Sequence, residues 1–433
     1  MERLFLILLI SLFMPFVLGL ISGESTAVSG LSSIDKLLKP VLIMILLLAL
    51  ILNNKWQSRR PMFGYVLSAL ALILILFSHL LVSSNTGDSM PAIKELARLS
   101  GFLVFLICCS MVNLKDSDYR FLLYLLGLIA LPVAILSIHH SFTGDLDKSW
   151  KYVGGYLRAG SGILDANALA GLINLVSLCA LGSFLIVRNK TYKAYFFMAF
   201  VIGQAARFTT FSTGSFINIL LALMVIIYML RKHDAFNFKR VFRIGVLSVF
   251  IIVGLMAYYG LFEAAFYRLT FSDDKVVDAS VGSRLSQYED LINVIQERPS
   301  ILFIGAGNSE ARTLVRNGLE FHNAYLRPLL TTGLIGFIAF LFICFKSYKN
   351  YQTVIMKMSE ANENTVPYII FYAAFIGWSF QAATIPADTS VIQWFYLILG
   401  YSLGNLIIEK KIDEKHIEPA VVFDNKFSLV RLR

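Results

Sequence analysis

Long apolar runs are the feature that most constrains this chain. Residues 66–82 and 244–262 are examples long enough to cross a bilayer, which takes about 20 residues of helix. In lipid every backbone N–H and C=O must find its partner within the protein, so runs of this kind have to be helices. A membrane barrel would instead show alternation over strands of about 10 residues, and none is visible. A water-soluble globule is excluded as well. The chain is 57% hydrophobic and only 15% charged, with a mean hydropathy of +0.70, whereas soluble domains are roughly a quarter charged.

Twelve spans are expected, at approximately 4–22, 38–53, 62–83, 95–112, 120–140, 163–187, 193–206, 213–230, 244–262, 322–345, 366–384 and 389–407. Their ends are fixed to about 2–4 residues. The first also has the basic start of a signal peptide (Met1-Glu2-Arg3), although its apolar stretch is long for one. The fold class is therefore all-α: a polytopic membrane domain over 1–408, then a polar tail over 409–433. No convincing internal repeat is present. Basic flanks resist translocation. With the N-terminus inside, the larger share of the 38 Lys and Arg falls on the cytoplasmic side, tail included. Both termini are then cytoplasmic. The net charge of +10 mostly reflects this bias and implies no nucleic-acid partner. Cys108, Cys109, Cys179 and Cys344 all fall within expected spans, which argues against a disulfide framework and against a metal–thiolate site.

Basic residues on the outer side concentrate in 142–162, 207–212 and 263–321. The last stretch exceeds the 12–15 residues beyond which loops usually carry function or are disordered. Ser283 can cap a helix beginning at Arg284. Leu285, Tyr288, Leu291, Ile292 and Ile295 then recur at helical spacing as one apolar face. Pro299 ends that helix, and Gly305 and Gly307 suit a turn. Ser309 and Gly318 suit the start and stop of a second short helix. Such an amphipathic helix would lie against the membrane domain as a wall or lid.

Several residues can carry chemistry there. His322 stands where the loop re-enters the membrane, next to Asn323 and two residues before Tyr325. A neutral imidazole at that point can accept a proton from a hydroxyl; hydrogen bonding to backbone at the interface is the plainer reading. Arg284, at the head of the expected helix, suits a phosphate together with the free N–H groups there; a solvated loop arginine is the alternative. Arg298, Arg312 and Arg316 read as solvated. Arg158 lies in a Gly-rich turn leading into a helix that carries Asp165 and Asn167 near its start. Polar groups at that depth are costly unless paired or functional, and Asp165 can equally cap the helix. Arg207 is expected in the tight turn 206–215, where it serves either a ligand or a carboxylate such as Asp165. Arginines converging on one side of a membrane suit a diphosphate, which points to a lipid carrier.

Residues 158–171, 209–215 and above all 284–336 resemble the bacterial O-antigen ligase and O-antigen polymerase superfamily. The Arg284 helix, the turn Gly305-Ala306-Gly307 after Pro299, and His322-Asn323 with Tyr325-Leu326 and Gly333-Leu334-Ile335-Gly336 carry that resemblance. Asp165-Ala166-Asn167 departs from it, since members often have proline before the Asn. The resemblance implies a GT-C-class glycosyltransferase of the bacterial inner membrane. Such an enzyme transfers a glycan from undecaprenyl diphosphate to an acceptor at the periplasmic face, without metal, nucleotide sugar or other cofactor. By carry-over, His322 activates the acceptor hydroxyl, Arg284 and Arg158 hold the diphosphate, and Arg207, Asn323, Tyr325 and Asn167 support substrate binding. The acceptor is lipid A-core for a ligase, or another lipid-linked repeat for a polymerase, which would also work with a chain-length regulator. A flippase or transporter of lipid-linked oligosaccharide would need charges deep in several spans, and these spans are almost free of them.

Overall fold

The computed structural model describes residues 114–143, 152–153, 156–157, 166–210, 212–233, 250, 254, 257, 278–306, 314, 323–383 and 390–406. The expected spans 4–22, 38–53, 62–83 and 95–112, nearly all of 244–262, and the tail lie outside these residues.

Nine α-helices are described: α1 (Asp116–Thr143), α2 (Ala166–Ile186), α3 (Lys190–Phe208), α4 (Thr213–Lys232), α5 (Asp278–Glu297), α6 (Ser300–Ile304), α7 (Leu326–Glu360), α8 (Val366–Ala382) and α9 (Ser390–Ser402). A 3₁₀ turn, Leu403–Asn405, follows α9. Strand among the described residues is limited to a two-residue antiparallel pair, β1 (Tyr152–Val153) and β2 (Tyr156–Leu157). By length and composition α1, α2, α4 and α7 can each cross a membrane, and α8 is a shorter apolar helix. The protein is an all-α polytopic membrane protein.

Local chemistry accounts for the helix starts. Asp116 and Asp118 occupy the first turn of α1, where the helix dipole favours acids. Asn189 Oδ1 accepts from the Thr191 and Tyr192 amides to cap α3, and Ser212 Oγ accepts from the Ser215 amide to cap α4. Seven expected spans each coincide with one of these helices, with ends shifted by a few residues. One end is corrected substantially. The span expected to stop at 345 continues as α7 to Glu360, a helix of 35 residues. Its apolar stripe runs on through Tyr351, Val354, Ile355 and Met358, all buried, while Lys349 and Lys357 stay exposed. Charges that mark the edge of a bilayer do not end a helix that still has a partner to pack on.

The core is built around α2, whose residues 168–185 are all buried. A helix apolar on every side belongs in an interior, and α1, α3 and α8 surround this one. Small residues permit close approach: a Cβ on Gly203 of α3 would collide with Ser177 of α2. Alongside, α4 packs on α8, where Asn218 Nδ2 donates to Gln381 Oε1 at 2.5 Å. α7 packs on α9, tied by Asn350 Nδ2 to the Gly400 carbonyl at 3.1 Å.

The two ends of the bundle differ. At one, Arg120 pairs with Asp116 and, more loosely, with Glu363, and the Tyr368 hydroxyl donates to Asp116 at 3.0 Å. At the other end stand the start of α2, the α3–α4 turn, the start of α7 and the end of α8. That is where the candidate residues fall.

Candidate functional site

His322 and Arg158 lie outside the described residues, as do Asp165, Gly307, Ser309 and Gly318. Arg284 is described only as part of the helix backbone, and its position is corrected. α5 begins at Asp278, not at Arg284, so Ser283 is no N-cap and Arg284 sits in the second turn. Asp278 at the first position suits the dipole, and Gly282 costs only about 1 kcal/mol inside a helix, which is too little to stop one. Arg284 is therefore not placed to share an anion with the free N–H groups of the helix start. Its planar guanidinium remains. The apolar face of α5 is corrected too: Ile292 points outward, 55% exposed, while Leu291 and Val294 are buried with Tyr288 and Ile295 beside them.

The point where the loop re-enters the bundle is firmly built. Asn323 Oδ1 accepts from the Tyr325 and Leu326 amides at 2.9 and 3.0 Å, capping α7. Its Nδ2 donates to the Tyr288 hydroxyl of α5 at 3.2 Å. The Ala324 amide donates to the Ala382 carbonyl, and the Tyr325 hydroxyl donates to the Ser379 carbonyl, both at 2.9 Å and both on α8. Asn323 and Tyr325 therefore spend these polar contacts on backbone and on α5. They hold in place the chain that follows His322.

Immediately beyond, α7 breaks at Gly333 (φ 68°, ψ −169°), and Gly305, at the end of α6, has φ 78°. The two glycines interlock. A Cβ on Gly305 would strike the Thr331 backbone, and one on Gly333 the Phe303 backbone. The Ala306 amide donates to the Leu330 carbonyl at 2.8 Å. Leu291, Val294, Ile301, Ala306 and Leu330 fill the space between α5, α6 and the first half of α7. The amphipathic helix is thus a wall against the re-entry point.

Arg207 lies in the last turn of α3, not in the turn after it, and is 4% exposed. Its Nε donates to Gln204 Oε1 at 3.3 Å. Its guanidinium lies 4.2 Å from the centre of the Phe208 ring and 5.0 Å from that of Phe216, a favourable cation–π arrangement. Among the described residues no carboxylate pairs with it. A buried charge without a counter-ion is costly, and among the described residues the two aromatic faces and the Gln204 carbonyl oxygen are what offset it. Asn167 is half-buried, and its carbonyl accepts from Gln381 Nε2 at 2.9 Å. Gln381 in turn accepts from Asn218, and Asn174 Nδ2 donates to the Ser215 carbonyl at 2.9 Å. Polar contacts therefore gather Asn167, Asn323 and Tyr325 around the end of α8, with Arg207 at the same end of the bundle. Among the described residues no group of His, Cys, Asp and Glu is placed to hold a metal ion.

Sequence reasoning missed Gln204, Asn218 and Gln381, and read Tyr288 only as part of an apolar face. A signal existed for the three missed, because Gln204, Asn218 and Gln381 are polar side chains inside apolar spans, where such residues are expensive.

A family profile described as O-Antigen ligase matches residues 197–341. That segment runs from the second half of α3 to the middle of α7 and takes in Arg207, Arg284, His322, Asn323 and Tyr325, but neither Arg158 nor Asn167. No curated protein matches the chain. This match spans about a third of the chain, over the segment that holds the buried arginine, the wall helix and the broken helix of the re-entry point, and it supports membership of the O-antigen ligase and polymerase superfamily.

Proposed function

We propose that this glycosyltransferase-like membrane enzyme moves a preassembled glycan from undecaprenyl diphosphate to lipid A-core, as an O-antigen ligase of the bacterial inner membrane. The single observation that carries the reading is Arg207, a buried guanidinium with no acid beside it among the described residues, inside the family-matched segment. A lipid-linked donor supplies the missing negative charge. Both termini are cytoplasmic in this reading, and the end of the bundle holding Arg207 and Asn323 faces the periplasm. The stretch 263–321 then forms the catalytic loop of a membrane domain over 1–408.

The chemistry is one displacement at the anomeric carbon. The acceptor oxygen forms its bond to that carbon while the bond to the phosphate oxygen breaks. His322 takes the hydroxyl proton, and the lipid diphosphate leaves into a pocket of Arg284, Arg158 and Arg207, whose charges stabilise it as it departs. No covalent enzyme intermediate forms, so configuration inverts. Asn323 and Tyr325 act by positioning, since their polar atoms hold the chain beside His322.

Deletion followed by glycan analysis tests the acceptor. Loss of all long chains from lipid A-core, with polymer retained on its carrier, supports a ligase. Accumulated single repeats, or core bearing one repeat, mark a polymerase and overturn the ligase reading. His322→Ala is expected to abolish transfer at normal protein level; wild-type transfer by that variant would remove His322 as the base. Lys at Arg284 and Arg158 keeps the charge without the planar fork, so full activity of both Lys variants would defeat the bidentate diphosphate argument.

A further inference from the structure

Gln204 stands one helical turn before Arg207 on α3 and is 2% exposed. Its Oε1 accepts from Arg207 Nε, which fixes the amide so that Nε2 is its free donor end. Gln204 Nε2 is buried and has no hydrogen-bond partner. The Arg207 side chain makes one hydrogen bond, through Nε, so its two Nη groups donate to no protein atom among the described residues. Phe208 and Phe216 lie against the guanidinium and take its face rather than its N–H donors. Natural proteins rarely leave a buried donor unmet, and here Gln204 Nε2 is one, next to a guanidinium that carries its own unshared donors. The free ends of both are donors, and one carries a full positive charge with no carboxylate beside it among the described residues. The group that satisfies both is an acceptor with negative charge.

We propose that Gln204 and Arg207 form one oxyanion clamp, in which Gln204 Nε2 and the Arg207 Nη groups donate to the same phosphate. Gln204 is then a donor-binding residue in its own right and also sets the plane of the arginine through its carbonyl. The proposal rests on the lipid-diphosphate reading for the identity of that phosphate. Ordinary phospholipid headgroups offer the same chemistry, and the experiment separates the two sources.

Full-length protein in phosphatidylcholine nanodiscs is titrated with farnesyl diphosphate, with and without competing phosphatidylglycerol. Wild type is expected to bind the diphosphate. Gln204→Glu puts a carboxylate where the amide donor stood and is expected to weaken binding by at least about tenfold, the worth of one hydrogen bond to a charged group. Gln204→Met, of similar length and uncharged, is expected to weaken it by a smaller factor. It carries the test if the Glu variant does not fold. Variants that bind as tightly as wild type overturn the clamp and leave the glycosyltransferase reading intact. A wild type that binds no farnesyl diphosphate defeats the lipid-diphosphate reading itself. Equal competition by phosphatidylglycerol overturns the assignment to the donor and makes the clamp a headgroup site.

Discussion

At the scale of single residues, charge and donor number matter more than volume. Arg207 keeps its charge away from water because two aromatic rings lie against it and Gln204 orients its Nε. Lysine keeps the charge but has no planar face to stack and no fork to bind two oxygens. Arg207→Lys is expected to lower glycan transfer by at least roughly tenfold at unchanged protein level, read in a membrane transfer assay. Asn323 shows the other use of a polar side chain, as a local clamp. Asn323→Ala removes the cap of α7 and is expected to cost about 1–2 kcal/mol, measured by unfolding in detergent. Asn323→Asp keeps the capping oxygens and loses only the donor to Tyr288. It is expected to retain most of that stability, and equal losses in the two variants would show that the cap is not what Asn323 supplies.

Elements meet through backbone as much as through side chains. The α6–α7 interlock needs glycine twice, because positive φ is open to glycine at little cost and because each Cβ would land on the other segment's backbone. Strain of this kind costs on the order of 1–3 kcal/mol even before the clash is counted. Gly333→Ala and Gly305→Ala are each expected to lower unfolding stability by at least about 2 kcal/mol and to reduce transfer. Gly254 is the control: it is helical, exposed and has open space around it. Gly254→Ala is expected to be neutral or stabilising by about 0.5–1 kcal/mol, and losses of equal size at all three positions would dissolve the interlock argument. The re-entry signature thus has a backbone meaning. Its glycines break α7 and seat α6 in the break, next to the chain that bears His322.

Across the whole molecule, a chain of amides joins helices far apart in sequence: Asn218 on α4, Gln381 on α8 and the Asn167 carbonyl on α2. Inter-helix hydrogen bonds in membranes average about 0.6 kcal/mol, with a maximum near 1.7 kcal/mol. A double-mutant cycle on Asn218→Leu and Gln381→Leu is expected to give a coupling in that range, and zero coupling would mean that the bond does not hold α4 to α8. Orientation is tested separately, in a variant freed of its four native cysteines. A cysteine at Asn362, between α7 and α8, is expected to resist membrane-impermeant reagents applied from outside, and one at Ser300 to react with them.

Apolar periodicity by itself determined the described membrane helices and the class of fold, because period and hydropathy are local properties and a bilayer leaves the backbone no alternative to hydrogen bonding within a segment. The start of α5 and the end of α7 escaped that reading for one reason. Capping is worth only about 1 kcal/mol and flanking lysines mark a bilayer edge, so neither outweighs packing that continues past it. The arginines were legible as candidates, but their roles were not. Only the tertiary structure decided that Arg207 is buried with no acid beside it among the described residues, that Asn323 and Tyr325 hold backbone, and that two glycines interlock. Each of those facts depends on what lies opposite in space, and partners such as Tyr288 and Asn323, or Gln381 and Asn167, share no local pattern from which the pairing can be read.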